Sequence, residues 1–391
     1  MKGHIRPRGK GKGKWSVVLY QGRDINGKTK YSWHRVDGTK RDAERELTRL
    51  LHEMNTGTYI EPTKLTVAQY LEQWISNHAE VNLAGTTSER YRSIVQLHLV
   101  PKLGKHLLTK LQPIHINEYY AEAQKNGRID GNGGLSGRTV LQTHRILRKA
   151  LQDALRLGLI SRNPADAVGT PRFERKETKV LNCEELAIVI RAAENSPYYP
   201  AILLALGGGL RRGEALAVRW SDLDLEEGII AVQRSIEQTS KGLRFKSPKS
   251  GRPRKLVLPQ IVMDGLKIHK ENQEGHRLMY GPDYAGNNLV CAKPNGDPVN
   301  PDNFSHYFRD FMKNNVKEVT QIRFHDLRHS HASVLGSKGI HPKVVSERLG
   351  HSSVNITLDL YTHFLPSMQE EAAHKFDEAL STAPPPNQES H

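Results

Sequence analysis

Cysteine is scarce in this sequence. Only Cys183 and Cys291 occur among 391 residues, and no second cysteine lies near either at the short spacing of a zinc site. A disulfide framework and a cysteine-based zinc site are therefore not expected, and a reducing cytoplasm is. The longest strongly apolar run, Ala201–Leu206, is far shorter than the ~18–20 residues that cross a membrane. The charged N-terminus also has no apolar stretch of the kind that a secretory signal needs.

Motifs that would indicate metal or nucleotide chemistry are missing as well. The chain contains no HExxH zinc motif, no DxDxDG calcium loop and no GxxxxGK[ST] nucleotide loop. Charged residues make up 25% of the chain, which is ordinary for a globular protein and argues against wholesale disorder. We therefore expect two or three globular domains with no cofactor and no metal.

Positive charge is what the sequence has in excess. It carries 57 Lys and Arg against 42 Asp and Glu, which gives a formal net charge of +15 and a pI near 9.6. Residues 1–41 alone hold 12 basic and two acidic side chains. This excess predicts a polyanionic partner, of which nucleic acid is the usual kind, although a basic surface without any partner has the same composition.

Residues 1–60 predict a small sheet followed by a helix. Trp15–Tyr20 and Lys28–Trp33 read as strands joined by an Asn26-Gly27 hairpin turn, and Thr39 can cap the helix. A sheet face that carries Trp15, Tyr31 and Trp33 with Lys28 or Lys30 would suit insertion into a DNA groove. The alternative is that Trp15 or Trp33 packs on the helix. The candidate DNA contacts and aromatics of this segment are Lys10, Lys12, Lys14, Lys28, Lys30, Trp15, Tyr31 and Trp33.

Residues 65–168 predict an all-helical domain of four helices. The second of them is expected to stop at Pro101, the third to begin near Gln112-Pro113, and the fourth to follow a glycine-rich loop that ends at Ser136. A net positive charge favours a DNA-facing module, although a purely structural bundle has the same pattern. The candidate DNA contacts here are Arg90, Arg92, Arg145 and Arg148.

Residues 175–381 predict a mainly helical domain with a small antiparallel sheet, and residues 382–391 a disordered tail. The predicted strands are 229–234, 242–245 and 255–258. Four motifs follow one another in this domain: GLRRGEALAVRW from Gly209, PKSGRPRKLVLP from Pro248, HDLRHSH from His325 and LGHSSVNITLDLYTH from Leu349.

These motifs contain what metal-free phosphodiester chemistry requires. The planar guanidiniums of Arg211 and Arg328 can bind the oxygens of one phosphate and stabilise the charge of its transition state. His325 lies three residues before Arg328 and can reach the same phosphate. Tyr361 is a nucleophile whose high pKa must be offset by a base or by cations, and Lys249 can protonate the departing oxygen.

Single residues of these motifs also allow other interpretations. His325 and His329, with His331 nearby, could imitate a metal site. Lys246 and Lys255 lie close to Lys249 in the sequence, so the motif does not decide which of the three lysines is the general acid. The order and spacing of all four motifs together make a coincidence improbable.

With these residues, the chain resembles the tyrosine recombinases of the phage and mobile-element integrase class. The resemblance implies that Arg211 and Arg328 bind phosphate, that His325 is an acid/base partner and that Glu214 supports the first arginine. It also implies Lys249 as the general acid, His351 as a second hydrogen-bonding group and Tyr361 as the nucleophile. The N-terminal segment is similar to an arm-site-binding domain and the helical segment to a core-binding domain.

The resemblance implies a multidomain α+β enzyme that integrates and excises a mobile element through a 3′-phosphotyrosine intermediate. Its partners would be double-stranded DNA with core and arm sites, three further copies in a tetramer, and DNA-bending or directionality factors, in the bacterial cytoplasm at the nucleoid. The alternatives are a type IB topoisomerase-like enzyme and a DNA-binding regulator that has lost cleavage. Residues 366–380 predict an amphipathic helix that folds back on its own domain or docks on a neighbouring protomer.

Overall fold

The computed structural model describes residues 3–8, 13–23, 26–57, 59–61, 63–171, 173, 179–249, 251, 253–361, 373–378 and 381, and for residues 359–361 the backbone. The chain divides into two compact units, Met1–Arg175 and Lys176–His391. Lys10 and Lys12, two of the predicted DNA contacts, lie outside the described residues. So does the predicted tail at 382–391. Of the helix predicted over 366–380, the structure describes residues 373–378, which are helical.

The first unit begins with a three-stranded antiparallel sheet in the order β1-β2-β3, followed by one helix. Thr39 caps that helix with a reciprocal pair of bonds to Asp42, as its sequence predicts. Val17 and Leu19 from the middle strand are buried against Ala43 and Leu50 of the helix. The elements are β1 (Gly3–Pro7), β2 (Lys14–Arg23), β3 (Thr29–Asp37) and α1 (Lys40–Asn55).

The two faces of this sheet differ in what they bury. Trp15 packs on the covered face with the helix, as expected for one of the two tryptophans. Trp33 pairs with Val18 and Tyr31 with Tyr20 on the opposite face, where Trp33 is 58% exposed. Because side chains alternate along a strand, the predicted grouping of Trp15 and Lys30 with Trp33 on one face is wrong.

The rest of the first unit is helical, as predicted, around a core that includes Leu71, Trp74, Ile116 and Leu147. The α-helices are α2 (Val67–Trp74), α3 (Glu80–Asn82), α4 (Gly85–Ile94), α5 (Val100–Leu103), α6 (Pro113–Asn126) and α7 (Gly137–Arg156). Shorter helical segments are the π-helical turns Ile75–Ala79 and Val95–Leu99 and the 3₁₀ turns Leu108–Lys110 and Pro164–Ala167.

The helix expected to stop at Pro101 instead continues through it. The π-helical turn Val95–Leu99 directly precedes α5, and Pro101 lies in the first turn of α5. The N–H of Val100 bonds the carbonyl of Val95, five residues back, so the π-helical turn carries the helix into the proline, as π-bulges do where helices bend.

The second unit is mainly helical, with a three-stranded antiparallel sheet in the order β4-β5-β8 and a two-stranded sheet β6-β7. This confirms the predicted fold class. The apolar helix α9 (Tyr199–Gly208) is buried in the core from Pro200 onward. The strands are β4 (Leu223–Asp224), β5 (Ile229–Val232), β6 (Ser235–Thr239), β7 (Gly242–Lys246) and β8 (Arg254–Val257).

The helices of the second unit surround these sheets. They are α8 (Cys183–Ala193), α9 (Tyr199–Gly208), α10 (Arg212–Ala215), α11 (Gln260–Tyr280), α12 (Pro301–Asn315), α13 (Phe324–Ser337), α14 (Pro342–Leu349) and α15 (Val354–Tyr361), with 3₁₀ turns at Trp220–Asp222 and Gly281–Asp283. None of the helices in the described part of the chain is both long and apolar enough to cross a membrane.

Candidate active site

Arg211 lies in the turn between α9 and α10. Gly209 ends α9 with φ 63°, a left-handed conformation that glycine adopts readily. Arg211 then occupies the N-cap position of α10, and its backbone N–H donates to Glu214 Oε2 at 3.1 Å. Its Nη1 donates to Glu214 Oε1 at 2.8 Å. The glycine-rich sequence thus ends α9, and the nearby carboxylate holds Arg211 by both backbone and side chain.

Arg328 lies within α13 and is 2% exposed. Its Nη1 donates to the carbonyl of Gly209 at 2.6 Å and its Nη2 to the carbonyl of Leu349 at 2.5 Å. Burial lowers the pKa of Arg328, and the charge of Arg211 lowers it further. Two like charges that act on each other favour a bound anion, because an anion would stabilise both of them.

The C-terminal end of α14 anchors three arginines through three consecutive carbonyl groups. Arg254 Nε donates to Arg348 at 3.0 Å, Arg328 to Leu349, and Arg211 Nη2 to Gly350 at 2.9 Å. The last carbonyls of a helix lack partners within the helix and carry the negative end of its dipole. This helix end therefore satisfies its own acceptors and brings the guanidiniums together.

Arg254 was not among the predicted site residues. Its Nη2 donates to Glu214 Oε2 at 2.7 Å, so the Glu214 carboxylate, 1% exposed, is shared between Arg254 and Arg211. Burial raises the pKa of Glu214, but the two arginines outweigh burial and the net pKa is lowered. A buried ionised carboxylate needs cationic partners, so the sequence could indicate that Glu214 pairs with arginines. It does not indicate that Arg254 is one of them.

Gly213, between these charged residues, lets α10 approach the sheet β6-β7. A Cβ at this position would lie 2.5 Å from the carbonyl oxygen of Ile236 in β6. Only a residue without a side chain fits there, so the close packing of β6 on α10 depends on this glycine.

The predicted histidines lie around the same arginines. His325 is at the surface, one turn before His329 on α13, and their rings meet edge to face at 5.0 Å. The pKa of His325 is lowered, first by partial burial and then by the charges of His329 and Arg328. His351 follows the end of α14, and its Nδ1 lies 2.9 Å from the hydroxyl of Thr357. Burial, followed by the charges of Arg328 and Arg211, lowers the pKa of His351 to about 3.

His331 has a different place from the other two histidines of its motif. It is buried, its Nδ1 lies 2.6 Å from the carbonyl of Leu206, and its Nε2 accepts from Arg348 Nε at 3.1 Å. Arg348 also donates to the carbonyls of Gly207 and Val257. This pair therefore joins α9, β8, α13 and α14. Within the described residues, no three His, Cys, Asp or Glu side chains come together as a metal site would require.

The three lysines that compete for the role of general acid are in different surroundings. The ammonium of Lys246 contacts the carboxylate of Glu237 on the neighbouring strand β6. Lys255 is exposed on β8. Lys249 is exposed in the turn between β7 and β8, two residues before Gly251, whose φ is 70°. Arg254, which enters the arginine cluster, begins the strand after this turn.

Tyr361 is the last residue of α15, which packs against α13 and α14. Its backbone thus belongs to a helix that contacts both elements bearing the arginine and histidine motifs. The side chain of Tyr361 lies outside what the structure describes.

The other predicted DNA contacts in the described residues are on the first unit and are exposed. Arg90 on α4 hydrogen-bonds Gln142 on α7, so Arg90 and Arg145 belong to one surface. Three candidates form surface ion pairs, which are weak and leave the cations accessible to a stronger anion: Lys30 with Glu61, Arg92 with Glu80 and Arg148 with Asp166. Lys14 and Lys28 lie on and beside the N-terminal sheet.

Two family models match the sequence. The Phage integrase family model matches residues 179–368, and the model of the phage integrase N-terminal SAM-like domain matches residues 66–123. The first match contains all four motifs.

Curated proteins and a solved structure are similar over longer stretches. A tyrosine recombinase XerC-like protein of Caldanaerobacter subterraneus subsp. tengcongensis is 26% identical over 94% of this chain and 97% of its own length. The ICEBs1 integrase of Bacillus subtilis is 30% identical over 63% of this chain and 67% of its own length. In fold, the chain is similar to the Tn1549 transposon integrase in complex with a circular intermediate DNA, with a TM-score of 0.68, 22% identity, and coverage of 79% and 100%.

Proposed function

The chain belongs to the phage integrase family of tyrosine recombinases, and from this we propose that it breaks and rejoins DNA at specific sites through a covalent link to Tyr361. The observation that carries the proposal is the anchoring of Arg211 and Arg328 on adjacent carbonyls at the end of α14. Two guanidiniums fixed side by side, with their remaining N–H groups left to donate, suit the oxygens of one phosphate.

The proposed reaction proceeds by direct displacement at phosphorus. The hydroxyl of Tyr361 loses its proton to a base, with His325 proposed for that role, and its oxygen attacks the phosphate. The bond from phosphorus to the 5′ oxygen breaks, and Lys249 gives a proton to that oxygen, leaving a free 5′ hydroxyl. Arg211 and Arg328 stabilise the added charge of the transition state, and His351 donates to a phosphate oxygen.

Lys249 is preferred to Lys246 for the acid because Lys246 already contacts Glu237. Rejoining reverses the same steps with the 5′ hydroxyl of a partner strand. The bond energy stays in the phosphotyrosine, so no nucleotide hydrolysis is required.

Tyr361→Phe tests the nucleophile. This variant keeps the ring and loses only the attacking oxygen, so we expect normal binding to the attachment site and no covalent protein–DNA adduct. The substrate is a duplex that carries the sequence repeated in the DNA flanking the gene, and the adduct is detected by denaturing electrophoresis. An adduct formed by the phenylalanine variant would overturn the assignment. Relaxation of supercoiled DNA by the natural chain without recombinant product would favour a topoisomerase.

We further propose three domains, with bounds at 1–60, 65–168 and 175–381. Residues 65–168, through Arg90, Arg92, Arg145 and Arg148, and the catalytic domain bind the core site. Four protomers exchange strands on paired sites, with DNA-bending or directionality factors, in the cytoplasm of a bacterial host. The element would be a prophage or a conjugative element.

Residues 1–60 are proposed to bind a separate arm site through the open face of the N-terminal sheet. That face carries the exposed aromatics Tyr31 and Trp33, and Arg6 and Arg35 lie across Ser16 on the same face. Deleting residues 1–60 is expected to spare core-site binding and to abolish arm-site binding, measured by electrophoretic mobility shift with each duplex. Unchanged arm-site affinity would contradict this domain assignment.

A further inference from the structure

Thr357 faces inward from α15, although apolar residues flank it. Among residues 354–358, whose side chains the structure describes, only Thr357 is buried, and it is 0% exposed. Ile356 and Leu358 on either side are each 45% exposed. Burying a hydroxyl while leaving apolar side chains in solvent is costly unless the hydroxyl has a defined hydrogen-bond partner.

The partner of Thr357 is His351. The Oγ1 of Thr357 lies 2.9 Å from Nδ1 of His351, which follows directly on Gly350, the acceptor of the Arg211 bond. The pKa of His351 is lowered to about 3, first by burial and then by Arg328 and Arg211. His351 is therefore neutral at pH 7, and a neutral imidazole has one nitrogen that donates and one that accepts.

Which nitrogen of a neutral histidine carries the proton is set by the hydrogen bond made at the other. Phosphate oxygens are acceptors, so a neutral His351 can bind one only through a protonated nitrogen. Nδ1 is already taken by Thr357, and Nε2 is the nitrogen that remains.

We propose that Thr357 is a positioning residue, whose hydroxyl donates to Nδ1 of His351 and thereby holds the proton on Nε2, ready to donate to a phosphate oxygen. The effect on cleavage rests on the proposed function, whereas the tautomer of His351 does not. Thr357 also lies four residues before Tyr361, one turn away on the same helix. The same hydrogen bond therefore links the hydrogen-bonding state of His351 to the docking of the helix that carries the nucleophile.

The experiment compares two small changes at this position. Thr357→Val keeps the branched shape and loses the hydroxyl, whereas Thr357→Ser keeps the hydroxyl. In full-length protein labelled with ¹⁵N-histidine at pH 7, the His351 signals are assigned by their loss in His351→Gln. We expect the Nε2–H tautomer in the natural chain and in Thr357→Ser, and a mixture of tautomers in Thr357→Val.

The kinetic counterpart is single-turnover cleavage of the attachment-site duplex. Thr357→Val is expected to slow covalent adduct formation about 10- to 100-fold, as loss of a partner that orients a reacting group does, with binding unchanged and with Thr357→Ser restoring the rate. Thr143→Val is the control, because Thr143 is equally buried and its hydroxyl donates to the carbonyl of Thr139 on its own helix, not to a histidine. It is expected to change neither the His351 signals nor the cleavage rate by more than about twofold.

The proposal is overturned if His351 is the Nδ1–H tautomer in the natural chain, or if Thr357→Val leaves the His351 tautomer unchanged. Slow cleavage that Thr357→Ser does not restore would likewise contradict it and indicate a packing role. If the natural chain forms no adduct at all, the proposed function fails, while the ¹⁵N spectra still decide the role of Thr357.

Discussion

The arginine cluster and the turn that carries Lys249 would act on the same phosphate, yet they are built in opposite ways. Arg211 and Arg328 are held by a buried carboxylate and by carbonyls at helix ends. Lys249 is exposed, in a turn between two strands. Groups that stabilise a transition-state charge act best when they are already in place, whereas a group that delivers a proton must only reach the leaving oxygen.

The largest effect on cleavage is expected from a change in the arginine cluster, whose side chains are held in place. Arg328→Lys keeps the charge but loses the planar fork that bonds both Gly209 and Leu349. We expect covalent cleavage to slow by about 100- to 1000-fold, with a much smaller loss of DNA affinity, measured in single-turnover and mobility-shift assays. Arg323→Lys at the N-cap of the same helix is the control, because the Arg323 side chain is 80% exposed. Equal losses of binding and cleavage would indicate DNA docking instead.

Glu214→Gln sharpens the comparison by testing whether the buried carboxylate holds the arginine cluster in place. Removing the charge leaves Arg211 and Arg254 facing each other without a buried counterion. We expect the free energy of unfolding at pH 7 to fall by about 3 kcal/mol, near the low end for breaking a buried ion pair. Asp222→Asn is the matched control, since Asp222 is similarly buried but forms an ion pair with one arginine of the described residues, Arg234. Its substitution should lower the free energy of unfolding by less.

The pH dependence of this variant follows from the direction of the pKa shift. The pKa of Glu214 is lowered in the folded state, so its contribution is present above the unfolded pKa of about 4.3. It is lost as the pH falls through the folded pKa. Urea unfolding should therefore show a constant difference in the free energy of unfolding between the natural chain and Glu214→Gln near pH 7. Below about pH 4 this difference should shrink. A difference that is unchanged into strong acid would contradict an ionised Glu214.

The smallest effect on the fold, with a sizeable effect on the chemistry, is expected from Lys249→Ala. Lys249 is exposed, so the free energy of unfolding should change by less than about 0.5 kcal/mol, while cleavage slows by about 100-fold. A duplex with a sulfur in place of the scissile 5′ oxygen should restore the rate, because a thiolate leaves without a proton. Lys246→Ala is the comparison. Restoration in that variant, and not in Lys249→Ala, would move the acid to Lys246.

Much of the local structure could be predicted because it depends on neighbours in sequence. Thr39 and Ser136 cap helices where their side chains indicate, and the strand expected from Gly242 begins at that residue. The strand β6, the long helix α11 and the passage through Pro101 were missed. The continuation of the helix through Pro101 depends on a π-helical turn. The helix α11 buries only residues of its first turns, so neither feature has a strong hydrophobic periodicity in the sequence.

The sequence by itself determined which chemical groups are present and in what order, because the four motifs show in short stretches of residues. Only the tertiary structure decided that Arg254 shares Glu214 with Arg211, that Lys246 contacts Glu237 and that Thr357 meets His351. It also placed Trp15 and Trp33 on opposite faces. The reason is physical: caps and turns are set by adjacent residues, whereas the convergence of three arginines on one helix end requires packing of elements up to 139 positions apart. Burial in that packing, in turn, sets the pKa values on which the chemistry depends.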